Sequence, residues 1–309
     1  MSLLFIAPDR NMSEWVDQVN RIDPNIEIDL WPAIEDKERV QFAVCWNQPS
    51  HILDSFPNLK AVSSLGAGVD HLLSDDALPG EIPICRIVSS TLVQQMTEYI
   101  LGAVISIRRH YMTYLRQKDQ QQWQIHNHTL PSQSSIGVMG LGEMGSPVAR
   151  QLAKLGYAVS GWSRTPKQLD KITCYAGRDE LPDFLQESQI LICLLPLTDQ
   201  TRSILDLDLI KQMKSPGWII NAARGEHLVD EDLIYALDRG LLRGAWLDVF
   251  SEEPLPDKHP FWNRPNIMIT PHAASITHPP EAAEQIVDNY KRALSGLALK
   301  QRVNRTLGY

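Results

Sequence analysis

The stretch Ser135-Ile136-Gly137-Val138-Met139-Gly140-Leu141-Gly142-Glu143-Met144-Gly145-Ser146-Pro147-Val148 carries the architecture of this chain. It sets a G-x-G-x-x-G run directly after an apolar strand, Ser135–Met139, and at the opening of a helix, Ser146–Leu155. A glycine run alone says little; between a strand and a helix it marks a dinucleotide cradle. Gly140 allows the tight turn, Gly142 lets the backbone approach a pyrophosphate, and Gly145 lets helix and strand pack closely. Leu141, Glu143 and Met144 complete the loop. The helix N-terminus then offers amide N–H groups and a positive dipole end to the phosphates.

Beyond this cradle an alternating series continues. Strands are predicted at Tyr157–Trp162, Ile190–Leu195, Trp218–Asn221, Ala245–Val249 and Asn266–Ile269, with a helix near Asp230–Arg239. Six or so strands with intervening helices form a doubly wound sheet. The first third alternates in the same way, with strands at Leu3–Ala7, Ile26–Trp31, Ala43–Trp46 and Leu59–Ser64, the last ending at Gly66-Ala67-Gly68. Such alternation makes parallel βα units. A helix is predicted from about Thr91 to Gln117, because Met96, Ile100, Ala103, Val104 and Ile107 mark one buried face. The polar stretch Gln117–Ser135 reads as a surface loop between domains, and Pro280–Leu297 as a helix that folds back on the first domain. The expected fold is α/β with two doubly wound parallel-sheet domains. A Rossmann cofactor domain (101–274) is inserted in a discontinuous, flavodoxin-like substrate domain (1–100 and 275–309).

Bulk properties agree. A chain of 309 residues exceeds one comfortable core, and 43% hydrophobic with 21% charged residues is ordinary for a globular protein. The net charge of −8 argues against a general nucleic-acid surface. Leu3–Ala7 is too short for a signal peptide, and Tyr99–Ile107 too short to span a bilayer. Cys45, Cys85, Cys174 and Cys193 show no C-x-x-C pairing, which fits reduced thiols and a cytoplasmic location. No metal site is expected; His126 and His128 do not make one, and the histidines other than His272 read as surface or loop residues.

The end of the strand after the cradle selects the nucleotide. An Asp or Glu there binds the ribose 2′-OH of NAD. This chain has Ser163-Arg164-Thr165 instead. Arg164 suits a 2′-phosphate through its planar donor fork, with Ser163 and Thr165 adding hydroxyls. NADP is therefore the expected cofactor, NADPH preferred, with NAD the lesser alternative.

Three segments follow successive strands: Asn221-Ala222-Ala223-Arg224-Gly225, Asp248 through Pro254, and Thr270-Pro271-His272. Ligands of doubly wound folds sit at the carboxyl ends of strands, so one crevice collects all three. Reducing a 2-keto acid needs a cation for the carboxylate, a proton for the carbonyl oxygen and a hydride donor. Arg224 suits the first task and also polarises the ketone. His272 suits the second, and Glu253 beside it favours the imidazolium and orients the ring. Alone, each has an ordinary structural explanation. Together, on successive strand ends, coincidence explains them poorly.

These pieces make the chain resemble the D-isomer-specific 2-hydroxyacid dehydrogenase family, most closely its glyoxylate/hydroxypyruvate reductase branch. Leu65-Gly66-Ala67-Gly68-Val69-Asp70 and Leu194-Leu195-Pro196 belong to the same pattern. The resemblance implies that Arg224, Glu253 and His272 are the catalytic trio. It implies that Asp248 holds the nicotinamide carboxamide, and that Leu195, Pro196, Ala222 and Ala223 line the cofactor site. The amides of Ala67 and Gly68 would bind the substrate carboxylate, and Trp46 either caps the substrate pocket or packs in the core. A homodimer acting on a small 2-keto acid is implied, with no nucleic acid or membrane as partner. A dehydrogenase for another D-2-hydroxy acid such as D-lactate or D-glycerate is the alternative of the same class. A nucleotide-sensing binding protein is the alternative of a different one; a sensor has no need of the trio.

Overall fold

Strands here pair only with parallel neighbours, and their sequences show why: β1, SLLFI, and the strand ILIC at 190–193 are buried along their whole length, as sheets covered by helices on both faces require. The computed structural model describes residues 1–309. The chain runs β1 (Ser2–Ile6), α1 (Ser13–Ile22), β2 (Glu27–Leu30), β3 (Val40–Cys45), β4 (Ala61–Ser64), α2 (Asp70–Leu73) and β5 (Ile84–Cys85). It continues through α3 (Ser90–Arg108), α4 (Tyr111–Asp119), β6 (Ser135–Met139), α5 (Gly145–Lys154), β7 (Ala158–Ser163), β8 (Thr173–Ala176), α6 (Leu181–Glu187) and β9 (Ile190–Cys193). It ends with α7 (Leu207–Gln212), β10 (Gly217–Asn221), α8 (Asp230–Asp238), β11 (Leu242–Leu247), β12 (Ile267–Ile269) and α9 (Pro279–Leu294).

Contacts divide the chain into two units, Met1–Leu92 with Ile276–Tyr309, and Val93–Ser275. The first holds a five-stranded sheet of order β2-β1-β3-β4-β5, the flavodoxin-like order. Its core gathers Leu4, Ile6, Val40, Ala43, Val62, Leu72 and Ile84, and α9 packs against α1. The second holds a seven-stranded sheet of order β12-β11-β10-β9-β6-β7-β8. Counted from β6, that is the doubly wound Rossmann order with one strand added. One face of it packs the α3 residues Met96, Ile100, Ala103, Val104 and Ile107 against Ile136, Val138, Ile192 and Ile220. The opposite face packs Phe184, Leu191, Leu209, Ile219, Leu233 and Leu247.

Three local expectations are corrected. The helix predicted through Gln117 breaks after Arg108, where His110 takes a left-handed backbone, φ 60°, and α4 starts afresh. No Pro or Gly signals that break. The polar stretch 120–134 lies within the second unit and does not link the two. Two short strands, β5 and β8, were not expected; β5 is two residues long, and β8 is a half-exposed edge without an apolar run.

Register positions the site. Met139 pairs Cys193, Cys193 pairs Asn221, Asn221 pairs Leu247 and Leu247 pairs Ile269. Five carboxyl ends are therefore level in one row. The segments that leave it are those the sequence marked: Gly140, Leu194–Pro196, Ala222–Arg224, Asp248 and Thr270–His272.

Candidate active site

In the second unit the glycine loop has the form a dinucleotide needs. Gly140 has φ +98°, and a Cβ there would lie 2.6 Å from the Leu194 carbonyl oxygen. A Cβ on Gly145 would meet the Gly140 carbonyl oxygen at 1.7 Å, so the first helical turn closes directly on the loop. A Cβ on Gly142 would meet nothing within 4 Å, which leaves the backbone open to an approaching phosphate. No protein acceptor takes the amides of Gly142, Glu143 or Met144. Unengaged amides at the start of a ten-residue helix are what a pyrophosphate recruits. The residues present fit the cofactor.

Leu141 is buried against this loop, and Glu143 is exposed. At the end of β7, Arg164 and Thr165 are exposed, but Ser163 is buried and its hydroxyl donates to the Thr165 carbonyl at 2.8 Å. Ser163 thus braces the turn that presents Arg164; its only proton is spent within the loop. Leu195, Ala222 and Ala223 are buried at the strand ends, with Pro196 half-buried beside them.

Asp248 is 1% exposed, and both oxygens of its carboxylate accept hydrogen bonds within the protein. It accepts from Thr270 Oγ1 at 2.6 Å, the Ala273 amide at 2.8 Å and the Ala274 amide at 2.9 Å. Its own carbonyl accepts the His272 amide at 2.7 Å. Asp248 therefore clamps the loop that carries His272, whose backbone stands at φ 52°, a conformation a non-glycine residue keeps only when its surroundings enforce it. Tyr99 extends the clamp: its hydroxyl lies 2.6 Å from Thr270 Oγ1 and accepts from Trp246 Nε1 at 2.9 Å.

His272 Nδ1 lies 2.7 Å from Glu253 Oε2, and Glu253 Oε1 accepts the Phe250 amide at 2.9 Å. Burial pushes the Glu253 carboxyl up. The hydrogen bonds from His272 and Phe250, with the charges of His272 and Arg224, outweigh it and hold the carboxyl below its usual range. Arg224 is half-buried, and its Nη1 donates to the Ala223 carbonyl at 2.7 Å. Asn221 fixes this turn from both sides, donating to the Arg224 carbonyl at 2.9 Å and accepting the Ala223 amide at 3.2 Å. Gly225 lets the turn approach the Asp248–Glu253 loop, since a Cβ there would fall 1.9 Å from the Phe250 carbonyl carbon.

In the first unit, the loop after β4 has a matching polarity. The Gly66, Ala67 and Gly68 carbonyls accept from the Ile87 amide, Arg86 Nη1 and Ser64 Oγ at 3.0, 3.5 and 2.6 Å. The amides of Ala67 and Gly68 have no protein acceptor. Trp46 closes on this loop, with its Cζ3 3.0 Å from where a Gly66 Cβ would stand. Arg10 lies over the Trp46 ring, 4.3 Å to the centroid, and His71 packs against it at 5.3 Å.

The sequence reading passed over Asn221, Tyr99 and His227. The histidines are not all surface residues: His227 is fully buried beneath Arg224, and His259 faces Asp230 at 3.2 Å. A single histidine without a repeating partner gives no signal along the chain. The proximity of 224 and 227 on one turn was the available hint.

The chain is similar to known proteins along its whole length. The family described as "D-isomer specific 2-hydroxyacid dehydrogenase, NAD binding domain" matches residues 101–274. Glyoxylate/hydroxypyruvate reductase A of Yersinia enterocolitica is 38% identical over the full length of both chains. A D-isomer specific 2-hydroxyacid dehydrogenase of Xanthobacter autotrophicus Py2, solved with NADPH and MES, is 35% identical with a TM-score of 0.95 over 100% of this chain and 99% of that one. An NADPH-dependent glyoxylate/hydroxypyruvate reductase of Sinorhizobium meliloti, solved with NADP and sulfate, is 31% identical with a TM-score of 0.92 over all of both chains. A glycine cradle, a carboxylate-buttressed histidine and an arginine on neighbouring strand ends, in a chain this similar to those proteins along its whole length, place it: the chain belongs to the D-isomer specific 2-hydroxyacid dehydrogenase family.

Proposed function

We propose that this protein reduces small 2-keto acids, glyoxylate to glycolate and hydroxypyruvate to D-glycerate, with NADPH preferred to NADH. The observation that carries the reading is the 2.7 Å pair of His272 Nδ1 and Glu253 Oε2 on a strand end two along from that of Arg224. A nicotinamide dinucleotide held in this cradle would supply the hydride for C2 of the keto acid. Arg224 pairs its guanidinium with the carboxylate and draws electron density from the carbonyl. His272 delivers the Nε2 proton to the carbonyl oxygen as the C2–H bond forms, and takes it back in the oxidation direction. Glu253 holds the ring through Nδ1 and fixes its orientation.

Within the first unit, the amides of Ala67 and Gly68 that no protein group accepts are suited to a carboxylate, and Trp46 packs against the same loop. Gly140–Gly145 would hold the pyrophosphate, and Leu195, Pro196, Ala222 and Ala223 would line the rest of the cofactor site. Arg164 and Thr165 meet the 2′-phosphate, a role supported by the absence of an acid at 163–165 and by relatives solved with NADP and NADPH. Asp248 serves the nicotinamide side by holding the His272 loop.

A homodimer fits the second unit. Tyr111, Leu115, Trp123, Ile125 and Leu130 are exposed in one segment, Trp123 at 99%, and clustered apolar exposure of this kind marks an interface. A cytoplasmic location fits four cysteines that are all unpaired. No helix is long and apolar enough to cross a membrane.

The deciding experiment follows NADPH and NADH oxidation with glyoxylate, hydroxypyruvate and pyruvate in parallel. Rapid NADPH loss with either of the first two is expected. NADPH binding without turnover of any keto acid would overturn the reading in favour of a nucleotide sensor.

A further inference from the structure

His227 closes the short turn that begins at Arg224, and its ring is fully buried. The Arg224 amide donates to Nδ1 at 3.2 Å. Nε2 lies 3.3 Å from the Pro196 carbonyl oxygen. Nδ1 is also 3.1 Å from the Arg224 carbonyl, but both lone pairs of that oxygen are taken, by Asn221 Nδ2 at 2.9 Å and the His227 amide at 3.3 Å. The amide proton needs the ring nitrogen as acceptor. An imidazole that accepts at Nδ1 and faces a carbonyl at Nε2 is neutral and carries its proton on Nε2. Thr201 Oγ1 donates to the same Pro196 carbonyl at 2.7 Å, and the His227 carbonyl accepts the Leu205 amide at 2.8 Å. One neutral ring thus ties the backbone under Arg224 to the backbone of the Leu195–Pro196 loop.

A buried polar ring is costly unless both nitrogens are satisfied, and an aliphatic residue would fill the same space. The geometry points to His227 as a positioning residue that locks the loop carrying the substrate-binding guanidinium to the loop lining the cofactor. The inference rests on the roles given above to Arg224 and to Leu195–Pro196. Each nitrogen serves a different ligand. Loss of the Nδ1 acceptor loosens Arg224 and hence the grip on a carboxylate. Loss of the Nε2 donor loosens Pro196 and hence the grip on the dinucleotide.

Two substitutions separate the arms. His227→Asn keeps an acceptor near the Nδ1 position but falls short of Pro196; His227→Gln keeps a donor near the Nε2 position but strands the Arg224 amide. NADPH affinity is read from nucleotide fluorescence on the resting protein. Oxalate affinity is read by calorimetry on the NADP-loaded protein. The expected result is a crossed pattern: H227N weakens NADPH about tenfold and oxalate under about threefold, and H227Q does the reverse. Equal weakening of both ligands by both variants, or no weakening while Tm falls, would reduce His227 to core filling and overturn the proposal. Nitrogen-15 histidine spectra of the unsubstituted protein give a check that needs no variant. At neutral pH His227 should show the neutral Nε2–H form; an Nδ1–H form or an imidazolium would overturn it. None of these readouts needs turnover, so a protein that binds both ligands yet reduces no keto acid would overturn the reductase reading alone.

Discussion

In the proposed reaction substrate recognition and activation meet at Arg224, because the cation that would hold the carboxylate would also polarise the carbonyl. Arg224→Ala should lower kcat/KM for glyoxylate by about 10²–10³-fold while leaving NADPH affinity near that of the unsubstituted protein; steady-state kinetics with fluorescence titration checks both. Arg164 is exposed, and its proposed role concerns the nucleotide rather than the keto acid. Arg164→Glu should therefore move the NADPH-to-NADH preference ratio toward NADH by about tenfold or more, and an unchanged ratio would remove Arg164 from 2′-phosphate recognition. Glu253 has a pH signature of its own. Its carboxyl is held below the usual range, burial being outweighed by the bonds and charges around it. A depressed acid adds stability that is complete above about pH 4.5 and is lost as the pH falls through the depressed value. The Tm gap between the protein and Glu253→Gln should be full at neutral pH and close in acid. A gap independent of pH would mean that the ionised carboxylate is not what stabilises the loop.

The elements divide by how much of their logic is local. Gly140–Gly145 and the strand before it were legible because the turn, the phosphate approach and the helix start each demand a residue type at fixed spacing. Arg224, Glu253 and His272 were legible as charge types following apolar runs. The bracing contacts were not: Tyr99 reaches Thr270 from α3, Asp248 reaches it from the neighbouring strand end, Asn221 bonds only the turn that follows it, and the inward turn of the Ser163 hydroxyl toward Thr165 leaves no mark on the sequence. The break between α3 and α4 depends on one non-glycine residue in a left-handed conformation, and β8 on pairing with β7. Gly225 shows what such cross-strand dependence costs. Gly225→Ala drives a methyl into the Phe250–Ser251 backbone, so it should destabilise the fold by about 1–3 kcal/mol. It should also lower kcat more than it raises the Kd for NADPH. Unaltered kinetics would show that the Arg224 and Glu253 loops need not lie this close.

At the scale of the molecule, two parallel sheets put the chemistry on loops and the stability in buried strands, and one exposed apolar segment is left over. Trp123 and Ile125 stand at 99% and 81% exposure. Trp123→Glu with Ile125→Glu should convert a dimer to a monomer in sedimentation velocity while each monomer keeps its fold by circular dichroism. A monomeric unsubstituted protein would end the dimer proposal.

The level row of Met139, Cys193, Asn221, Leu247 and Ile269 has a consequence for quality control. A strand that paired one residue out of step would shift its loop by about 3.3 Å along the sheet edge and turn its side chains to the opposite face. That displacement exceeds the tolerance of every hydrogen bond that holds His272 or Arg224. A misregistered chain would keep its mass and most of its helical signal and still be inert. The fraction of active sites in a refolded sample therefore counts correctly zipped sheets, which makes turnover a finer gauge of folding accuracy here than any spectrum.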